Sequence, residues 1–271
     1  MTENLKMKDQ LSRTIQLDKI PTRIISLVPS QTELLVDLGL EPSIVGITKF
    51  CVHPKHLKQS KTIVGGTKSI NIDKIKALQP DIILCNKEEN TQEMIADLEQ
   101  IAPVHISDIY SIEECMELIE MYGNLFSKEI EAKLLIQNIS DALTDFKTFI
   151  CDKPKLKAAY FIWKNPWMVA GQHTFIDALL RLNKFENYYG TYQRYPEITL
   201  DNNPPQTADV VLLSSEPFPF KETHIEEIRH FFPKATILVV DGEMFSWYGS
   251  RLLKAFDYFK SLHQDHWIPN A

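Results

Sequence analysis

An α/β fold of two lobes, each built on a mostly parallel sheet, is predicted by three features of this sequence. Strands and helices alternate along most of the chain. The stretch from Ser127 to Ile150, near its middle, has helical periodicity and contains neither Gly nor Pro. The segments before and after that stretch repeat each other. A length of 271 residues suits two such lobes better than one small core.

The elements follow in order. Residues 1–21 form a polar lead. Arg23–Val28 is a near-continuous apolar run, as a parallel strand covered on both faces requires. Pro29 ends it. Ser30-Gln-Thr-Glu33 has the form of a capping box and opens a helix that carries Leu34, Leu35 and Leu38 and stops near Gly39. A strand at Ile44–Ile47, a turn at Val64-Gly-Gly66, a helix at Ile72–Leu78 and a strand at Asp81–Cys85 come next. A helix at about Thr91–Ile101 and a strand at Val104–Ile106 follow, and Ser111-Ile-Glu-Glu114 is a second capping box. Such alternation argues for βαβ units, and so for two Rossmann-like lobes.

Between Ser127 and Ile150, apolar Ile130, Leu134, Leu135, Ile139, Leu143 and Phe146 recur at helical spacing. One helix of about 35 Å at ~1.5 Å per residue is predicted, long enough to pass from one lobe to the next. The α/β rhythm then restarts. Strands are predicted at Lys157–Trp163, Trp167–Ala170, Asp209–Leu213 and Thr236–Val240, with helices at Thr174–Leu182, Thr223–Phe231 and Gly249–Leu262. The predicted division is 22–126 for the first lobe, 127–150 for the bridging helix and 151–271 for the second.

The repeat is direct. Residues 71–88 align without a gap on residues 199–216, so that Asp73 meets Asp201, Asp81 meets Asp209 and Glu88 meets Glu216, with the apolar strands in register. Two similar lobes with a cleft between them are the economical interpretation, and such clefts bind small molecules.

Composition narrows the function. The net charge of −7 comes without a basic stripe, which argues against nucleic acid. The first residues lack the apolar core of a secretory signal, so a cytoplasmic protein is expected, or a periplasmic or surface-anchored one if a leader has been removed. Four cysteines, Cys51, Cys85, Cys115 and Cys151, form no C-x-x-C pair and suit reduced thiols. The phosphate-binding, dinucleotide, zinc-protease and serine-nucleophile motifs are absent from the sequence. Glu88 and Glu89 are adjacent, and adjacent side chains point apart. A non-catalytic protein is expected.

The order of several motifs resembles one family. They are Arg23-Ile-Ile-Ser-Leu-Val-Pro-Ser-Gln-Thr-Glu33, Val45-Gly-Ile47, Val64-Gly-Gly66, Asn71-Ile-Asp-Lys-Ile75 and Leu78-Gln-Pro-Asp-Ile-Ile-Leu84. In the second half they are Pro166-Trp-Met168, Thr174–Leu180, Asp209–Glu216, Asp241-Gly242 and Gly249-Ser-Arg251. From about residue 22 to the end the chain is similar to the helical-backbone (class III) substrate-binding proteins of ABC importers, which receive cobalamin, haem and ferric siderophores. Its cobalamin-binding branch is the nearest in pattern. The resemblance implies a stiff clamp whose central helix limits closure. Its implied ligand is a metal-bearing macrocycle or chelate, with cobalamin or another corrinoid first and haem or a ferric siderophore next. No covalent cofactor and a monomer are expected.

The resemblance also implies site residues. One acid on each lobe docks on the permease in exported members, and Asp73 and Asp201 match those positions; either could instead be an acid complementing a helix N-terminus. The positions that flank the corrin ring fall near Thr67 and Asn86, neither of them aromatic, while Phe50 keeps an aromatic after the second strand. In the second lobe Trp163, Trp167, Phe218, Phe220, Phe245, Trp247 and Tyr248 lie at strand ends and loops. Such aromatics either line a stacking wall or fill the core, and Trp167 and Trp247 are the leading wall candidates.

Polar chemistry completes the expectation. Cys51-Val-His53 either offers two ligands to a metal, including that of a macrocycle, or is a buried thiol beside a surface imidazole. Glu216 is a further polar contact from the second lobe. Arg251 either pairs with Asp241 or holds a ligand carboxylate or phosphate. His173 is expected to cap or pack, and His263 and His266 to be solvated. The alternative to a receptor is a cytoplasmic metallo-enzyme or a metal or cofactor carrier on the same two-lobed fold, motivated by Cys51.

Overall fold

The computed structural model describes residues 5–201 and 207–264 in full, with the backbone of 265 and 266. The chain divides into two compact units. Unit 1 comprises residues 1–109, 113–139 and 248–251; unit 2 comprises 110–112, 140–247 and 252–271.

Unit 1 opens on a hairpin, β1 (Leu5–Lys8) with β2 (Thr14–Leu17), where the sequence reading has only a polar lead. The signal is a period of two: Ile15 and Leu17 are buried while their neighbours are exposed. Its turn is organised by Asp9, whose carboxylate accepts from the Leu11 and Arg13 amides at 3.0 and 2.9 Å and from the Ile106 amide at 3.3 Å.

The main sheet of unit 1 has β3 (Ile24–Ser26), β4 (Ile44–Thr48), β5 (Thr62–Gly65), β6 (Ile82–Asn86) and β7 (Val104–Ser107). Its order is β5-β4-β3-β6-β7, parallel throughout. This is a doubly wound sheet, and its strand order reverses beside β3. The helices are α1 (Pro29–Asp37), α2 (Leu57–Ser60), α3 (Ile72–Ala77), α4 (Gln92–Glu99) and α5 (Ile112–Phe126). Asn71 and Thr91 cap α3 and α4 with their side chains.

Two local expectations change. Val64 and Gly65 are the end of an edge strand, and the turn comes after them. Gly65 has φ +138°, and a Cβ there would stand 2.4 Å from the Ser69 carbonyl, so the turn requires glycine. The first capping box does not form: Val28 is the N-cap, Pro29 opens the helix, and Glu33 faces a different partner, described below.

The long helix α6 (Glu129–Ile150) is present, and the division between the units falls within it, at Ile139 and Ser140. Its buried face is Ala132, Leu135, Ile139, Leu143, Phe146 and Ile150. Ile130 and Leu134, expected on that face, are 81% and 61% exposed. Helical phase explains this, because residues two before Ala132 and one before Leu135 rotate away from the Ala132 stripe. Gly123 of α5 lets Ala132 approach, since a Cβ at 123 would lie 2.6 Å from that of Ala132.

Unit 2 repeats the plan. Its strands are β8 (Leu156–Trp163), β9 (Trp167–Val169), β10 (Phe185–Asn187), β11 (Glu197–Ile198), β12 (Val210–Ser214) and β13 (Thr236–Val240), in the order β11-β9-β8-β12-β13 with β10 also on β8. β10, β8, β12 and β13 are parallel; β9 is antiparallel to β8, and β11 is antiparallel to β9. The helices are α7 (Phe175–Leu182), α8 (Ile225–Arg229), α9 (Gly242–Ser246) and α10 (Leu252–His266). Thr174 caps α7 by accepting from the Asp177 amide at 3.1 Å; exposed His173 is not the cap. His263, expected in solvent, is buried against Phe185 and Asn183. The side chain of His266 lies outside the described residues.

The internal repeat holds at atomic detail within each unit. In unit 1 the Asp81 amide donates to the Arg23 carbonyl at 2.8 Å, and the Asp81 carboxylate accepts from the Arg23 amide at 2.9 Å. In unit 2 the Asp209 amide donates to the Lys157 carbonyl at 2.9 Å, and its carboxylate accepts from the Lys157 amide at 2.7 Å. Each aspartate fixes the register of its strand against the first strand of its unit's main sheet, β3 or β8.

Candidate functional site

In a doubly wound sheet the carboxyl ends of the strands, beside the point where strand order reverses, are where ligands bind. The site candidates of unit 1 gather there. Phe50, in the loop after β4, is 48% exposed, and Lys49 lies over its ring at 5.0 Å. Gly66 sits against that ring: a Cβ at 66 would be 3.2 Å from it. Thr67 follows, and its carbonyl accepts from Asn90 at 2.8 Å. Asn90 in turn accepts from the Asn86 amide at 2.8 Å. Phe50, Thr67 and Asn86 are thus brought to one rim.

The Asn86 side chain is itself buried and satisfied. Its amide donates to the Ser107 carbonyl and hydroxyl at 3.2 and 3.0 Å, and its oxygen accepts from the Glu88 and Glu89 amides. Asn86 therefore shapes the loop after β6. Behind it runs a buried polar network that the sequence reading did not find. Tyr122 donates to Gln31 at 2.6 Å, Gln31 donates to Ser107 at 2.6 Å and to the Tyr248 hydroxyl at 2.9 Å, and Ser107 lies 3.2 Å from that hydroxyl. These residues are far apart in sequence and carry no common motif.

The surroundings of the Cys51 thiol are two threonine hydroxyls. The Cys51 thiol is fully buried, 3.1 Å from the Thr32 hydroxyl and 3.3 Å from that of Thr48. Burial pushes its pKa up and the Glu89 charge adds to this, against the lowering effect of the threonine hydrogen bonds. It is a protonated, inert thiol. Among the described residues no cluster of three or more His, Cys, Asp or Glu side chains is placed to hold a metal ion.

Arg251 is also reassigned. It belongs to unit 1 and its guanidinium donates to Glu33 at 2.8 Å, both side chains buried. Asp241, its expected partner, instead caps α9 by accepting from the Glu243 amide at 3.0 Å. The adjacent Gly249 amide donates to the Cys115 sulfur at 3.0 Å.

The rim of unit 2 is aromatic and acidic. Trp163, at the end of β8, is 38% exposed and meets Phe218 edge-on at 5.7 Å. Phe218 packs on Phe220 at 4.7 Å, and Phe220 stacks on Trp167 at 6.2 Å with a 5° angle between the rings. Trp167 is half-buried against the core. Trp247 is buried and donates its indole N–H to Glu216 at 2.8 Å; Ser246 donates to the same carboxylate oxygen at 3.0 Å. Trp163 is thus the exposed ring of this wall, Phe218 and Trp167 are both half-buried, and Trp247 positions Glu216. Burial raises the Glu216 pKa, and Glu243 and Asp241 raise it further, while the Ser246 and Trp247 hydrogen bonds oppose them. Lys164, beside this wall, is paired with Glu227 and lies over Trp167 at 5.6 Å.

Gly242 lets this loop close. A Cβ there would stand 2.3 Å from the Ser214 hydroxyl and 3.0 Å from the Glu216 amide. Gly242→Ala is expected to cost about 1–3 kcal/mol, read as a lower melting temperature, and to displace Glu216. An unchanged melting curve would refute the close approach.

Asp73 lies exposed in the first turn of α3, in unit 1. Asp201 is exposed in unit 2, immediately before the undescribed residues 202–206. No helix among the described residues is long and apolar enough to cross a membrane.

Comparison with known proteins agrees with this architecture. The chain is 28% identical over 190 residues to the uncharacterized ABC transporter substrate-binding lipoprotein YvrC of Bacillus subtilis, covering 66% of this chain and 59% of that protein. It is 22% identical over 211 residues to a cobalamin-binding protein of Halobacterium salinarum, covering 77% of this chain and 56% of that one. The chain thus spans less than two thirds of the length of these relatives. Among solved structures it superposes on the periplasmic vitamin B12-binding protein BtuF of Vibrio cholerae with a TM-score of 0.78 at 18% identity, over 91% of this chain and 99% of that one. The sequence profile of the periplasmic binding proteins matches residues 24–230, and the chain belongs to that family.

Proposed function

We propose that this protein is the non-catalytic substrate-binding component of an ABC-type import system and that its ligand is a corrinoid, cobalamin before haem or a ferric siderophore. The observation that carries the choice is the unit 2 rim. Trp163 and Phe218 offer apolar edges, Glu216 offers an oriented carboxylate, and Lys164 is engaged by Glu227. Aromatic faces suit a flat macrocycle. The oriented Glu216 carboxylate beside the aromatic wall disfavours carboxylate-bearing haem and polyanionic ferric catecholates, whereas it tolerates a macrocycle whose periphery is uncharged amides. The cobalamin-binding relative supports the same ligand.

Two expectations are revised by this reading. The relatives are a lipoprotein and a periplasmic protein, which supports an exported protein and leaves the cytoplasmic expectation without support. The metallo-enzyme alternative rested on Cys51, which is a buried protonated thiol. In the proposed import role Asp73 and Asp201 are the acids that meet the permease.

The test is a thermal-shift and fluorescence titration with cyanocobalamin, haemin and a ferric catecholate. At about 100-fold excess over Kd, cobalamin is expected to stabilise the protein by about 2.7 kcal/mol and to quench Trp fluorescence. Trp163→Ala is expected to weaken binding about 10- to 100-fold, as loss of an aromatic anchor does, with little change in stability. No response to cobalamin, or a stronger response to haemin, would overturn the ligand assignment.

A further inference from the structure

Unit 2 has a second hollow, far from the rim just described. It lies where the C-terminal end of α7, the edge strand β10 and the start of β8 meet, with a volume of about 790 Å³. That is within the size range of small-molecule sites. β8 runs from this hollow at Leu156 to the rim at Trp163, a separation of roughly 23 Å at ~3.3 Å per residue. The two sites are therefore at opposite ends of one strand.

The charges around the hollow do not cancel. Its carboxylates are already engaged: buried Asp177 accepts from Asn187 at 2.9 Å and pairs with Arg181, and Glu186 pairs with Lys155 at 3.2 Å. Two ammonium groups are not neutralised. Lys157 has no side-chain partner among the described residues, although its backbone is fixed by Asp209. Lys184 is held by the Cys151 and Lys153 carbonyls, which orient its ammonium but carry no full negative charge. An ammonium has three N–H donors, so one remains for a ligand. Half-buried Tyr188 lines the hollow, whereas the Phe185 ring is buried and stacked on His263.

We propose that this hollow is a second binding site, for a small organic anion: a carboxylate, sulfonate or phosphate carried on a flat apolar body. The apolar body lies against half-buried Tyr188, and the anionic group meets Lys157 and the remaining N–H of Lys184. In a chain of net charge −7, a locally positive hollow of this kind concentrates an anion that the rest of the surface repels. The site is independent of the import reading, since no residue of it belongs to the aromatic rim.

The experiment is calorimetry on the full chain, with amide chemical-shift mapping, using 2-naphthalenesulfonate as probe and neutral 2-naphthalenemethanol as its control. The sulfonate is expected to bind at one site, to shift the amides of Lys157, Phe185 and Tyr188, and to weaken with added salt. The neutral analogue is expected to bind at least 10-fold more weakly. Lys157→Glu, at an exposed and unpaired side chain, is expected to reduce sulfonate binding at least 10-fold while the melting temperature stays unchanged. Lys184→Met is expected to do the same, its fold checked by the same melt. Saturating cyanocobalamin should leave sulfonate binding intact. Equal affinity for the neutral analogue, equal affinity in Lys157→Glu, shifts confined to the Trp163 rim, or no saturable binding would each overturn the proposal.

Discussion

Glu33→Gln is expected to destabilise the protein by about 3–5 kcal/mol, the range for removing one partner of a buried ion pair. Glu33 and Arg251 are both about 4% exposed and meet at 2.8 Å. Taking the charge from Glu33 leaves the guanidinium in an apolar setting with its main counter-charge gone. A typical domain has only about 5–15 kcal/mol of stability, so the loss is a large share of the total. At a urea dependence of about 2 kcal/mol per molar, it appears as a fall in midpoint of roughly 2 M. Arg251→Met should be comparably harmful alone. The pair Glu33→Leu with Arg251→Met should recover much of the loss, because two apolar groups in that space need no counter-charge. A single variant within 1 kcal/mol of the parent would mean the pair is solvated and the burial argument is wrong.

Acid is expected to weaken the fold well above the range where carboxylates titrate. His105 lies wholly buried in β7, edge-on to Tyr122 at 5.3 Å, and neither ring nitrogen has a hydrogen-bond partner among the described residues. Burial pushes its pKa down to about 4; nearby Arg13 acts in the same direction and Asp9 opposes it. The unfolded imidazole, at about 6.5, takes up its proton first. Between pH 6.5 and 4 the unfolded state therefore holds more protons, and stability falls as pH falls. The stability is fully present above pH 6.5. Across the window the loss approaches about 3 kcal/mol, at about 1.4 kcal/mol per unit. His263, pushed down to about 4 mainly by burial, adds in the same sense. Urea unfolding of the parent and His105→Leu between pH 7.5 and 4.5 isolates the first residue. The variant should lose less stability on acidification, and parallel pH curves would exclude His105 as a source.

Much of this fold is legible in local pattern. The apolar runs at Ile24, Ile82 and Val210 can only be strands covered on both faces, and they are the central strands. The alignment of Asp81 with Asp209 anticipates two matching register clamps, because a duplicated strand keeps the residue that fixes its start. The N-terminal hairpin escaped because four-residue strands carrying lysines give a weak alternation. The phase of α6 was misjudged because Ile130 and Leu134 are apolar yet exposed, and hydropathy alone does not say which stripe meets α5.

The site was legible only as a neighbourhood. Loop aromatics after β8 and β12 mark a wall, but which ring faces solvent depends on hydrogen bonds made elsewhere. Trp247 turns inward to Glu216, and Trp163 is left as the exposed ring, with Phe218 and Trp167 half-buried beside it. Arg251 lies ten residues from Asp241 in sequence yet pairs with Glu33, 218 positions away. By itself the sequence determined the class of fold, the duplication, the long central helix and the strand ends where a ligand would be met. Those features depend on periodicity and on capping residues, which act over a few positions. The tertiary structure alone decided the charge partners, the inert state of Cys51, the buried Gln31–Tyr122–Tyr248 network and the cationic hollow beside β10. Each of these depends on which distant side chains share a desolvated space, and local pattern carries no record of that.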